Sequence, residues 1–236
     1  MKEGLARLDF LITMGELGML TGPSGVGKSA LIKRFLNTLT PQRCETVYCH
    51  LTHLPSCGLL KLIATQLGEP PRRGKDRLFE QILERAGRTE GTLLLILDEA
   101  HLLTSEALID LRLLLSSALD VGPPLKILLA GQDPLRGTMK RAQHADLLNR
   151  VSVRHQLRPL TKAQTTHYVD FQMTQAGGDA TIFGDEVKDL LHDFTGGLPR
   201  AINNLAIACL LQATAIGSAR IDEEVFRQAA AEFQLP

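Results

Sequence analysis

Eight consecutive residues, GPSGVGKS at 22–29, combine three glycines, a lysine and a hydroxyl in an order that suits a polyphosphate. Backbone N–H groups of such a loop turn inward around phosphate oxygens, and the glycines permit the backbone conformations this needs. Lys28 then reaches the β/γ-phosphates and Ser29 offers its hydroxyl to Mg²⁺. The helix that follows adds its positive end. Gly22, Pro23, Ser24, Gly25, Val26 and Gly27 are read as the cradle of ATP, with Lys28, Ser29 and Ala30 opening the helix. A short apolar strand before the loop and an amphipathic helix after it supply the context this motif requires.

A second chemical signal lies about seventy residues after Lys28, where GTLLLILDEAHLL carries an apolar run into an acidic pair. A strand ending in Asp supplies the carboxylate that holds the Mg²⁺ shell of a P-loop site. Asp98 is that candidate, so Ser29 and Asp98 form the expected metal side. Glu99, one residue on, is the candidate that polarises an attacking water, which points to hydrolysis. The tetrapeptide DEAH also marks a class of nucleic-acid helicases. Those need two α/β domains, and this sequence has the pattern of one, so Ala100 and His101 are read as incidental to the chemistry. His101 is expected to make a structural hydrogen bond beside the site.

These residues need a sheet to hold them. Apolar runs at 18–21, 45–51, 92–97, 125–131 and 151–157 alternate with helical patterns at 28–38, 58–67, 75–87, 105–118 and 140–149. That alternation predicts an α/β fold with a parallel sheet flanked by helices. After 158–161 the strands stop, and helices are expected near 161–176, 184–194, 199–216 and 222–233, each separated by Gly or Pro. The expected organisation is a nucleotide-binding domain over 1–158 and a helical lid domain over 159–236, with ATP between them.

The chain has 26 basic and 26 acidic residues, so net charge names no partner. Four cysteines without paired spacing and no signal-peptide pattern fit a cytoplasmic protein. The longest uninterrupted apolar run is too short to span a bilayer. CETVYCHLTHLPSC at 44–57 invites a zinc reading, but it lacks any C-x-x-C, and Cys49 and His50 are adjacent on a strand and point to opposite faces. Core cysteines are the expected outcome there. Tyr48 and Tyr168 are too isolated to suggest base stacking.

With both motifs placed, the chain resembles the AAA+ ATPases over nearly its whole length. The run LKILLAGQ ends at Gln132, where that family places a sensor for the γ-phosphate or the water. GGLPRAINNL resembles its second sensor motif, with Arg200 closing onto the nucleotide. DLLNRVSV lies where the family carries an arginine finger, so Arg150 is the candidate, with Arg141 and Arg154 behind it. A finger acts on a neighbouring subunit's ATP, so the resemblance implies a homo-oligomer with interface sites. Within AAA+, the runs LDEAHLL, ALIDLRLLL, LLAGQDPLR and GLPRAINNLA resemble the ExeA/TniB-like group of secretion-pathway and transposition target-selection ATPases.

Two departures from that group shape the expectation. Only about twenty residues precede Gly22, where the group carries an aromatic and Pro-bearing segment that helps hold adenine. The sequence also ends at Pro236, without the membrane helix and wall-binding domain of secretion-type members. The preferred reading is therefore an ATP-dependent oligomer on duplex DNA that licenses a transposase or similar protein partner. Arg136 to Lys162 is rich in cations, and Arg72, Arg73, Lys75 and Arg77 are candidates for phosphate contact without sequence preference. The rival readings are a secretion-assembly ATPase and a nucleotide-gated signalling switch.

Overall fold

The structure is a computed structural model that describes residues 2–40, 42–51, 53–118 and 125–233; the outer limits of both expected domains, Met1 and Pro236, lie outside these. Contacts group Met1–Gly22 with Lys28–Leu157, and Pro23–Gly27 with Arg158–Pro236.

The first unit holds β1 (Leu17–Thr21), β2 (Cys44–His50), β3 (Thr92–Asp98), β4 (Leu125–Gly131) and β5 (Val151–Gln156). They form one five-stranded sheet of order β2-β3-β4-β1-β5, parallel throughout. Strand β3 shows why this sequence demands two covering layers. Leu93, Leu95 and Leu97 enter one apolar cluster, whereas Leu94 and Ile96 enter another on the opposite face. A continuous apolar run is the signature of a strand buried on both sides.

Helices α1 (Lys2–Thr13) and α2 (Lys28–Leu36) cover one face through Leu8, Leu11, Ile12, Leu31, Ile32 and Phe35. Helices α3 (Ser56–Gln66), α4 (Lys75–Gly87) and α5 (Ser105–Ala118) cover the other, with Leu59, Ile63, Leu78, Ile82, Leu108 and Leu111 inward. An unexpected short helix, α6 (Pro134–Met139), comes first, and within the helix expected over 140–149 lie a 3₁₀ turn at Ala142–His144 and the short α7 (Ala145–Asn149). Pro134 has no N–H to lose at a first helical position, so it starts α6, which buries Leu135 and Met139.

The second unit is helical: α8 (Lys162–Gln175), α9 (Asp185–Thr195), α10 (Pro199–Ile216) and α11 (Glu223–Phe233). Thr161 and Gln164 cap α8 reciprocally. Gly196 ends α9 and Gly217 ends α10, both left-handed. Val169, Phe183, Leu191, Ile202, Leu205 and Phe226 fill its core. Among the described residues, no helix is long and apolar enough to cross a membrane.

Candidate functional site

Parallel sheets gather ligand-binding groups at the carboxyl ends of their strands, where strand order reverses. Here β1 feeds the glycine loop, β3 ends on Asp98, and β4 ends next to Gln132. Gly25 and Gly27 have φ of 77° and 105°, conformations that side chains rarely adopt. Lys28 is 6% exposed, and its ammonium donates to the Gly22 carbonyl at 2.9 Å. The lysine thus folds back over its own loop.

Asp98 is 2% exposed and organises the rest. Its Oδ2 accepts from the Ser29 hydroxyl at 3.1 Å and from the Tyr48 hydroxyl at 2.5 Å. Its Oδ1 accepts from the Glu99 N–H at 2.9 Å. Ser29 and Asp98, 69 residues apart, are therefore adjacent. A hydroxyl beside a carboxylate is a hard oxygen pair suited to Mg²⁺, which prefers one or two protein oxygens plus substrate phosphates to a closed protein cage. Among the described residues, no group of three or more His, Cys, Asp or Glu side chains is placed to hold a metal. Any cation at Ser29 and Asp98 would complete its shell from the ligand and water.

Glu99 has φ 58° and ψ 33°, and it is the one non-glycine residue at positive φ among those described. A left-handed conformation costs a residue with Cβ about 1–2 kcal/mol. The turn holds it there because the chain must leave β3 and enter a 3₁₀ turn at once. Glu99 Oε2 then lies 3.3 Å from His101 Nδ1. The Gln132 N–H donates to that same Nδ1 at 3.4 Å. His101 thus makes the structural hydrogen bond expected of it, to the main chain of Gln132, and also touches Glu99.

Tyr48 is a second residue that the motifs do not announce. It pairs with Ile96 across β2 and β3, so its ring runs along the sheet toward Asp98, two residues further on. Burial, and then the Asp98 carboxylate, push the phenol well above its ordinary range, so Tyr48 remains a donor. Cys44 and Cys49 face inward on the same strand while His50 faces out, and burial pushes both thiols up to about 11.

In the second unit Arg200 binds the loop residues grouped with it. Its N–H donates to the Gly25 carbonyl at 3.2 Å and its guanidinium to Ser24 Oγ at 3.3 Å. A Cβ at Gly25 would lie 2.9 Å from the Arg200 Cβ, so the approach needs glycine for space as well as for φ.

Arg150 is engaged within its own unit, to Glu16 at 2.9 Å and to Ser116 Oγ at 3.2 Å. Arg154 donates to the Leu148 carbonyl at 3.3 Å, whereas Arg141 is exposed and makes no ion pair among the described residues. The cation cluster before α4 is partly neutralised. Arg72 forks onto Glu84 at 2.7 Å, and Lys75 bridges Glu106 at 3.0 Å and Asp110 at 2.9 Å. Arg73 and Arg77 are exposed and carry no ion pair among the described residues.

A family model described as an AAA domain matches residues 13–139, a span that contains the glycine loop, the β3 acidic pair and Gln132. The chain belongs to the AAA domain family. It is 32% identical over 228 residues to the general secretion pathway protein A of Aeromonas hydrophila, covering 93% of this chain and 41% of that protein. The AAA+ fold recurs in Cdc6p of Pyrobaculum aerophilum (TM-score 0.75, 21% identity, 98% of this chain and 66% of that one). It recurs also in the Aeropyrum pernix ORC2 protein (0.71, 21%, 99% and 65%). The Thermotoga maritima RuvB branch migration motor shares it too (0.66, 17%, 100% and 69%). The AAA domain family and this fold are those of nucleotide-binding P-loop proteins.

Proposed function

We propose that this AAA domain is a Mg²⁺-dependent ATP hydrolase that works as a homo-oligomer. The observation that carries the reading is the meeting of Ser29 and Asp98 at 3.1 Å, with Glu99 turned left-handed beside them. Gly22 to Gly27 with Lys28 would cradle the phosphates, and Ala30 continues the helix start that faces them. Mg²⁺ held through Ser29 and Asp98 would neutralise phosphate charge. Glu99 polarises water, while Lys28 and the Gln132 side chain stabilise the transferred phosphoryl charge. Arg200 contributes through the loop it already binds at Ser24 and Gly25. Arg150 is proposed to act in trans, and it must first leave Glu16 to do so. The test is steady-state ATP hydrolysis with and without EDTA, for the parent, Lys28→Ala and Glu99→Gln. Turnover that survives Glu99→Gln would sink the role given to Glu99, whereas a parent that binds ATP with little turnover would fit a signalling switch better.

Two settings for that activity have separate support. The Aeromonas relative favours an ATPase of a secretion-assembly system. The cations Lys140, Arg141 and Arg158, exposed and without ion pairs among the described residues, favour duplex DNA, the setting in which regulation of a transposase is proposed. Fluorescence anisotropy on duplex DNA with ATP, ADP or neither, at two salt concentrations, separates them. ATP-dependent binding that weakens steeply with salt supports the DNA setting. Absence of binding in every state supports the secretion setting.

A further inference from the structure

His101 lies between two groups that the hydrolytic reading uses separately. One is the Glu99 carboxylate, whose Oε2 is 3.3 Å from Nδ1. The other is the main chain at the end of β4, where the Gln132 N–H points at the same nitrogen from 3.4 Å. Nδ1 has one in-plane valence. As a lone pair it accepts from Gln132; as an N–H it donates to Glu99; it never does both.

The backbone brings both partners to the one ring nitrogen. A Cβ at Gly131 would lie 3.0 Å from the His101 backbone nitrogen and 3.4 Å from the Ala100 backbone nitrogen. Glycine at 131 lets the turn after β3 come this close to the end of β4 without either backbone giving way. The left-handed Glu99 then swings its carboxylate back over the ring it precedes by two residues. The imidazole is 15% exposed and packed between the two segments.

We propose that His101 is a positioning residue that couples the water-polarising Glu99 to the Gln132 segment, by offering one ring nitrogen to either of them in turn. The proposal rests on the hydrolytic reading of Glu99. With Nδ1 accepting from Gln132, the β4 end is pinned and Glu99 is left to the water. When the ring proton moves from Nε2 to Nδ1 through solvent, Nδ1 donates to Glu99, the carboxylate is parked and Gln132 loses its acceptor.

The experiment compares His101→Leu, His101→Asn and Glu99→Gln in the full chain, by kcat and KM for ATP and by binding of a fluorescent ATP analogue with Mg²⁺. Leu removes the acceptor, whereas Asn keeps an oxygen close to the position of Nδ1. The expected result is nucleotide affinity within about two-fold of the parent for both His101 variants. The kcat of His101→Leu should fall about ten-fold, the equivalent of one hydrogen bond in the barrier, and Asn should restore most of it. Equal losses in Leu and Asn, or a loss confined to nucleotide affinity, would mean a packing role and overturn the proposal. An unchanged kcat in His101→Leu beside an inactive Glu99→Gln overturns the role of His101 alone. Full turnover in Glu99→Gln overturns both readings together.

Discussion

The Tyr48 hydroxyl donates to Asp98 Oδ2 at 2.5 Å, the same oxygen that accepts from Ser29. The phenol therefore helps fix the rotamer of the carboxylate from β2, the strand paired with β3. Removing it should loosen Asp98 without touching the nucleotide cradle. Tyr48 is 39% exposed, so its bond is worth the low end for a charged acceptor, about 1 kcal/mol. Tyr48→Phe should then raise the Mg²⁺ concentration for half-maximal ATP hydrolysis about five-fold while kcat at saturating Mg²⁺ stays near the parent. A Mg²⁺ titration of steady-state turnover reads this directly, and an unchanged midpoint would show that Ser29 and the Glu99 N–H hold Asp98 unaided.

Lys75 stands in the cluster proposed for DNA, yet its partner is a buried acid. Asp110 is 3% exposed and accepts from the Ser56 hydroxyl and from Lys75. Lys75→Ala would strand that carboxylate. Lys75 itself is 42% exposed and partly screened, so the cost is about 1–2 kcal/mol rather than that of a fully buried pair. At this chain length that is about 2–8 °C in Tm. Asp110, then Glu106, raise the Lys75 ammonium above its ordinary value. A raised folded pKa gives stability that is complete below the unfolded value and lost only as pH rises through the folded one. The Tm deficit of Lys75→Ala should therefore be constant from pH 6 to 8. Loss of DNA binding in that variant would report folding, and Arg73→Ala with Arg77→Ala is the clean probe of phosphate contact.

The site's legibility follows what local chemistry can encode. The loop at 22–29 and the acidic end of β3 are readable because each is a contiguous run whose residue types have one shared use. Tyr48 was not readable as a partner of Asp98, because that contact exists only once β2 is known to pair with β3 in one register. The His101 contact with Gln132 depends in the same way on glycine at 131 admitting a neighbouring turn. Helix α1 is a different case: Leu5, Leu8, Leu11 and Ile12 carry a helical period, yet it lies outside every expected element. Around 134–149 the period was present, but Pro134 starts a helix ahead of it, leaving two short helices where one was expected.

Helix α1 also carries a pH dependence. His155 on β5 has a buried Nε2 without a hydrogen-bond partner, and a Cβ at Gly4 would lie 3.0 Å from it. Burial is the main force holding this imidazole below its ordinary value near 6.5; Glu3 opposes it and Arg7 assists. A depressed folded pKa means the unfolded chain binds the proton first. Stability is thus present above pH 6.5 and lost as pH falls through the folded value. His144, also lowered by burial and with Nδ1 unpartnered, adds to the same window. Tm should fall between pH 7.5 and pH 5, less in His155→Met than in the parent, with His144 supplying the remaining slope. Equal slopes in both proteins would remove His155 from the account.

Gly25 meets two demands that one substitution pattern separates. Its φ of 77° penalises any side chain, and its neighbour Arg200 leaves a new Cβ only 2.9 Å of room. Gly25→Ala should weaken binding of a fluorescent ATP analogue at least ten-fold, the strain of about 1–2 kcal/mol being joined by the clash. Arg200→Ala removes the guanidinium bond to Ser24 but keeps a Cβ in place, so its cost should add to that of Gly25→Ala. Arg200→Gly removes the clashing carbon as well, and in that background Gly25→Ala should cost only the strain. Additivity in both backgrounds would mean that the loop moves aside freely and that φ alone explains the glycine. Sub-additivity confined to Arg200→Gly would establish that Gly25 is small because Arg200 must come close.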